Sequence, residues 1–358
     1  MKKILFIFTN YRTSEKIYPI IKLLSNEYHL DLYLMGEMHP KTPWYGTNDL
    51  RVIFNLNYKQ YFENILYGEF FNFHGDRIKE SPLNNLNLKK YDGIILDDNK
   101  IMTELRLSDI YNEAKKMDIP IIGTSHGNQN YNKNNLLALN NTFDYIVLLG
   151  QKEFDFYSKY YDSNKLLIGG IPSNDLLVNY SHENKYVLCI VNFLGNRNSP
   201  FRVRFDRDFI LQSKLIEISE SVGLPITIKL KSRLDRPQIN EDIEYVKQQF
   251  KNLYKFFDIV VDGDNNEIIS KSGVVISAPS TLSFKSIQMG IPTIIIPGAG
   301  QIGNLNNFRG LTSTNIIENI SNQFNMGKDI NFIKNTIKGG IDFTSTNIYT
   351  SIIKKIMG

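Results

Sequence analysis

The stretch that most limits what this chain can fold into is 273–297, GVVISAPSTLSFKSIQMGIPTIIIP. An apolar run at 274–277 ends in Ala278-Pro279, and Ser280-Thr281 follows. Leu282, Phe284, Ile287 and Met289 then recur at helical spacing until Gly290, and a second apolar run fills 292–297. Nearly continuous apolar strands belong to parallel sheets buried on both faces. Parallel neighbours need a crossover, so the stretch predicts strand, helix, strand. Ser280 or Thr281 falls where an N-cap belongs. The pair either only caps the helix or, with the free N–H groups of a helix start, also offers a seat for a phosphate.

The same grammar runs through the rest. Strands are expected at 3–8, 29–35, 91–97, 119–124, 143–149, 165–168, 185–193, 225–230 and 257–261. Helices are expected at 14–26, 101–117, 152–161, 211–222, 239–250, 314–324, 330–337 and 344–356. Alternation of this kind predicts doubly wound α/β domains, and 358 residues exceed one ordinary core. Two Rossmann-like domains follow: 1–177, a polar linker at 178–184, and 185–340, with 341–358 as a final helix. Residues 43–75 stand apart, crowded with Trp44, Tyr45, Phe54, Tyr58, Tyr61, Phe62, Tyr67, Phe70, Phe71 and Phe73. They are read as core packing together with an acceptor-facing aromatic lobe.

Open parallel sheets bind ligands beyond the carboxyl ends of their strands. The candidates at such ends in the first half are Asp97, Asp98 and His126. The two acids are adjacent, so in an extended chain they point opposite ways; Asp98, beyond the apolar run, is preferred. In the second half the loop GNRNSPFRVRFDR brings Gly195 and Arg197, either a solvated basic loop or a pyrophosphate contact. Lys229 closes another strand, and GAGQIGNLNN follows the last one. The string Asp262-Gly263-Asp264 lies between a strand and a helix, where acids cap turns, and is read that way.

Charge and cysteine content exclude several classes. A net charge of +4 is too mild for a nucleic-acid binder. The second half holds the positive excess, with 21 basic against 16 acidic residues. One cysteine, Cys189, allows neither a disulfide framework nor a cysteine metal site. The turn after the first strand, Thr9 to Thr13, lacks the glycines of a dinucleotide fingerprint. The start, MKKILFIFTN, is read as a strand rather than a signal peptide, because Tyr11-Arg12 breaks its apolar run. No apolar stretch reaches membrane-spanning length, which points to the cytoplasm, with peripheral contact at the inner membrane face as a variant.

The order strand, Ser-Thr, helix, Gly-x-Pro, strand at 273–297 resembles the donor unit of GT-B glycosyltransferases that build bacterial surface polysaccharides, such as capsule and O-antigen. The string Gly123-x-x-His126-Gly127 is similar to the His-Gly turn of capsule and teichoic-acid transferases, and Gly170-x-Pro172-x-x-Asp175 to the end of their first domain. The resemblance implies two Rossmann-like domains facing across a cleft. It implies a nucleotide sugar (UDP-, GDP- or CMP-linked) in the second, held by Ser280, Thr281, Lys285, Lys229, Gly195 and Arg197. A glycan or lipid-linked glycan acceptor would meet Asp98, Asp97 or His126. No metal or other cofactor is expected. The chain departs from the pattern twice: Lys285 stands where many relatives carry a ribose-binding Glu, and Lys231-Ser232 where they carry His-Pro. The alternatives are a CDP-polyol phosphotransferase of the teichoic-acid type, a nucleotide-sugar epimerase or hydrolase on the same fold, and a binding subunit without activity.

Overall fold

The computed structural model describes residues 1–9, 11–37, 56–71, 86–98, 101–125, 142–191, 209–230, 240, 243–244, 247–248, 257–261, 263–277, 281–295 and 330–358. The chain divides into two compact units. The first comprises Met1–Gly127, Tyr131–Leu176 and Lys334–Gly358, the second Asn128–Asn130 and Leu177–Ile333.

The first unit holds β1 (Lys3–Phe8), β2 (His29–Glu37), β3 (Asn64–Phe71), β4 (Gly93–Leu96), β5 (Ile121–Thr124), β6 (Tyr145–Leu148) and β7 (Leu166–Ile168). They form one sheet in the order β3-β2-β1-β4-β5-β6-β7, with every pair parallel. Side chains alternate across a strand, and β1 shows what that does here. Ile4, Phe6 and Phe8 face a core with α1 (Tyr18–Leu24) and α4 (Ser345–Met357), through Ile20, Ile21, Leu24, Tyr349 and Ile353. Leu5 and Ile7 face the opposite core with α2 (Ile101–Lys116) and α3 (Gln151–Tyr157), through Leu107, Ile110, Ala114 and Tyr157. Both faces are therefore covered, which is why the strands read as unbroken apolar runs.

The second unit repeats the plan. Strands β8 (Tyr186–Val191), β9 (Ile226–Leu230), β10 (Phe257–Val260), β11 (Ser272–Ser277) and β12 (Thr293–Ile295) lie in the order β10-β9-β8-β11-β12. Val187, Cys189, Val274 and Ile276 pack toward α5 (Phe209–Val222) through Leu215 and Ile218. Leu188, Ile190 and Val275 pack with Ile269 of α6 (Asn265–Ser270). In each sheet the order reverses at the first strand, between β1 and β4 and between β8 and β11. That is the topological switch point at which open α/β sheets take their ligands.

One expectation is revised. Within the aromatic stretch, 64–71 forms the edge strand β3, paired in parallel with β2. Its aromatic residues suit a half-buried pleated surface: Phe62, just before it, is buried against Phe6, whereas Tyr67 is 55% exposed. Tyr58 stacks on Tyr18 at a centroid separation of 4.9 Å. Residues 43–55 and 73–75 lie outside the described residues.

The tail Gly169 to Asp175 is structural. Gly169 and Gly170 both donate to the Leu148 carbonyl, at 2.9 and 3.1 Å. Asp175 accepts from the backbone N–H of Ser345 at 3.2 Å and of Thr346 at 2.6 Å. It thereby caps α4 from 170 residues away in sequence, since no side chain of α4's own N-cap does so. Burial raises the Asp175 pKa, against the pull of these bonds.

Candidate functional site

At the switch point of the first sheet, the residues after β1 and β4 are tied together. Asp97 is fully buried. Its carboxylate accepts from the Thr9 N–H at 3.0 and 3.1 Å, from the Thr9 hydroxyl at 2.8 Å and from the Thr13 hydroxyl at 3.0 Å. Its own N–H donates to the Ile7 carbonyl at 3.2 Å. A buried carboxylate is tolerable only with such donors. Asp98 follows, 4% exposed. One strand over, the Thr124 hydroxyl meets the Tyr349 hydroxyl at 2.6 Å. Burial, with the nearby Asp97 charge, pushes the Tyr349 phenol well above its ordinary range.

Beyond β5 lies a second knot that sequence reasoning missed. Ser125 donates its N–H to the Val147 carbonyl at 2.9 Å, accepts from Lys16 Nζ on its carbonyl at 3.3 Å, and donates its hydroxyl to Glu153 Oε1 at 2.5 Å. Glu153 Oε2 takes the Leu149 N–H at 2.7 Å. Glu153 lies in the first turn of α3, where an acid looks like an ordinary helix-start residue. Only the adjacency of β5 and β6 brings it to Ser125. Burial pushes its carboxyl up to about 7; the Leu149 N–H, the Ser125 hydroxyl and the Lys16 charge oppose that rise. His126 is the next residue after Ser125 but lies outside the described residues.

At the switch point of the second sheet, β11 ends at Ser277 and α7 (Thr281–Gln288) begins four residues later. The helix is buried on most sides, with Ser283, Phe284, Ser286, Ile287 and Gln288 all at or below 3% exposure. Ser280, the Thr281 side chain, Gly195 and Arg197 lie outside the described residues. Lys285 Nζ donates to Asn266 Oδ1 at 2.7 Å, joining α7 to α6. Lys229, 7% exposed at the end of β9, donates to the carbonyls of Val261 at 2.6 Å and Leu230 at 3.2 Å. Asp264 caps α6 by accepting the Asn266 N–H at 2.8 Å, and also accepts from the Tyr180 hydroxyl.

Asp97, Asp98 and Ser125 thus gather at the carboxyl ends of adjacent strands in the first unit, and Lys229 and Lys285 belong to the second unit. Two Rossmann-like units with this strand order define the GT-B class of α/β enzyme fold. Residues 123–310, just over half of the chain, match a family named for O-antigen biosynthesis, and the chain belongs to that family. No curated protein matches it. Among solved structures it is similar to UDP-N-acetylglucosamine 2-epimerase from Rickettsia bellii, with a TM-score of 0.60 at 12% identity over 99% of this chain and 96% of that one. It is also similar to Alr3699/HepE of Anabaena in complex with UDP and glucose, with a TM-score of 0.57 at 13% identity over 99% of each chain. A third is the wall teichoic acid polymerase TagF, with a TM-score of 0.56 at 14% identity over 99% and 89%. At these identities the likeness is one of fold. Among the described residues no helix is long and apolar enough to cross a membrane.

Proposed function

We propose that the chain is an inverting, metal-independent glycosyltransferase of surface-glycan assembly. It would move a sugar from a nucleotide-sugar donor to a hydroxyl of a glycan or lipid-linked glycan, at the inner face of a bacterial membrane. The observation that carries this reading is the start of α7 beyond β11, at the switch point of the second sheet. A helix N-terminus at that place favours an anion. Membership of the O-antigen family supports a surface-glycan substrate, and the fold shared with a protein solved with UDP and glucose supports a nucleotide sugar.

In this mechanism the acceptor hydroxyl gives its proton to His126 or Asp98 as its oxygen attacks the anomeric carbon. The bond from that carbon to the phosphate oxygen breaks, and the nucleotide leaves with the electron pair. Ser280, Thr281 and the N–H groups of α7 stabilise the charge that develops there, with Lys285, Lys229 and the loop of Gly195 and Arg197 adding positive potential. Lys229 and Lys285 already donate to protein oxygens, so they act by field rather than by direct contact unless those bonds exchange.

A second reading is phosphotransfer from a CDP-polyol. The His126-Gly127 turn and the fold shared with TagF favour it. A thermal-shift panel of UDP, GDP, CMP and CDP separates the nucleotides, because a ligand that binds the folded state raises the melting temperature. Parallel incubations of a lipid-linked glycan with the matching nucleotide sugar and with a CDP-polyol, followed by mass spectrometry, then test transfer. A product heavier by one sugar residue supports glycosyl transfer. A product heavier by a polyol phosphate supports the second reading, and isomerised donor without acceptor supports an epimerase. If no nucleotide shifts the melting temperature, the chain is a subunit without donor binding and the proposal fails.

A further inference from the structure

Lys285 stands in a place that suits an apolar residue. Leu282 and Lys285 of α7, with Met289 just past its end, recur at helical spacing and share one face. Leu282 and Met289 pack with Ile268 and Ile269 of α6. A leucine or methionine at 285 would continue that seam with no charge to desolvate. Ionisable groups kept in such places cluster at functional sites. The ammonium is also aimed. It donates to Asn266 Oδ1 at 2.7 Å, and Asn266, 9% exposed, lies in the first turn of α6. Asp264 fixes the Asn266 N–H and also takes the Tyr180 hydroxyl. Both helices begin beyond the carboxyl ends of strands, α6 after β10 and α7 after β11. Lys285 is one turn, about 6 Å, along α7 from Thr281, and helical side chains lean toward the N-terminus. Its acceptor is an amide, which orients the charge without neutralising it.

We infer that Asn266 is a positioning residue for donor binding: it holds the Lys285 ammonium beside the start of α7 as a second positive centre, and the pair makes the site select a nucleoside diphosphate over the monophosphate. The inference rests on the reading of the α7 start as the phosphate seat made above. A helix start offers one seat, with a fractional charge of about +0.5. One phosphate satisfies it. The further negative charge of a diphosphate needs a cation close by, and Lys285 supplies one within a turn of the seat. It acts through its field while the bond to Asn266 persists, so the direction in which Asn266 holds it sets the strength of the effect. The donor class is then a sugar carried on two phosphates rather than one.

The test is calorimetric titration of the full chain with UMP, UDP, CMP, CDP, GMP and GDP. For the base that binds, wild type takes the diphosphate about tenfold or more tighter than the monophosphate. Lys285→Met removes the charge, keeps the apolar seam and cuts that ratio about threefold or more. Lys285→Arg keeps the charge and returns most of the ratio. Asn266→Asp keeps the shape and the backbone N–H that Asp264 holds, but sets a carboxylate against the ammonium. It lowers the ratio about threefold or more with Lys285 still in place. A merely structural Asn266 would shift the melting temperature and leave the ratio untouched. Should one of the two charge variants not fold, the other carries the test, since each cancels the positive centre by a different route. Equal affinity for monophosphate and diphosphate in wild type, or a ratio unchanged in Lys285→Met and Asn266→Asp, overturns the inference while the phosphate seat stands. If no nucleotide binds wild type, the donor reading itself has failed, and the inference falls with it.

Discussion

Asp97 binds Thr9 twice, through backbone and hydroxyl, although 88 residues separate them. The contact closes the gap between β1 and β4 at the switch point of the first sheet. It gives Asp97 an anchoring role in the turn after β1; in the proposed function Asp98 is the acid of the pair assigned to acceptor chemistry. In Asp97→Asn an amide N–H₂ replaces an oxygen that faces donors, so the variant should lose about 2 kcal/mol of stability. A urea titration checks this, and a loss under about 0.5 kcal/mol would show that Asp97 is no anchor. Asp98→Asn should instead abolish turnover while leaving nucleotide affinity as in wild type.

The Gly170 turn should tolerate no side chain. Its φ is +84°, and an added Cβ would run into the Lys338 carbonyl and stand 2.5 Å from Ser345 Oγ. Gly170→Ala should therefore cost about 1–3 kcal/mol. Asp175→Ala leaves the first N–H groups of α4 without their remote acceptor, at about 0.5–2 kcal/mol. Hydrogen exchange should show protection lost in 345–357 for both variants, with β8–β12 unchanged. Equal loss in both units would mean that the turn does not act locally.

These anchors mark where sequence reasoning stops. Apart from β3, the strands of both sheets were legible, because a strand buried on two faces must be apolar throughout, as in 4–8 and 274–277. The helix from Thr281 was legible from its periodicity and the Gly290 stop. What could not be read was which strand ends become neighbours. Asp97 looked like half of an acid pair because Thr9 and Thr13 are far away in sequence. Glu153 carries no signal in the sequence, because Ser125 reaches it only through the pairing of β5 with β6. The strand at 64–71 was hidden by its aromatic residues, which suit a lobe as well as a half-buried edge.

Glu153 should also leave its mark on stability against pH. Its folded pKa, about 7, lies above the ordinary 4.5. The folded state therefore binds this proton more tightly than the unfolded chain does. The contribution is fully present below about pH 4.5 and is lost as pH rises through about 7. At 1.36 kcal/mol per unit the loss is on the order of 3 kcal/mol. Glu153→Gln, which cannot ionise, should match wild type near pH 5 and melt higher than wild type at pH 8. A difference between the two proteins that does not vary over that range would place the titration elsewhere.

Thr281 gives the sharpest test of the donor side. It is the first residue of α7, so it lies one place past the capping position. Losing its hydroxyl should cost less stability than losing a true N-cap, under about 1 kcal/mol. A phosphate seated at the helix start would miss the hydroxyl more. Thr281→Val keeps the shape and removes one hydrogen bond to a charged oxygen, worth about 1.5–3 kcal/mol. Nucleotide affinity should therefore fall about tenfold to a hundredfold, measured by calorimetry with whichever nucleotide raises the melting temperature. The loss should be seen equally for the free nucleotide and its sugar conjugate, since the contact is to phosphate. A variant that binds the nucleotide normally but turns over slowly would move Thr281 from the phosphates to the sugar. One that binds and turns over as wild type would leave it as helix architecture alone.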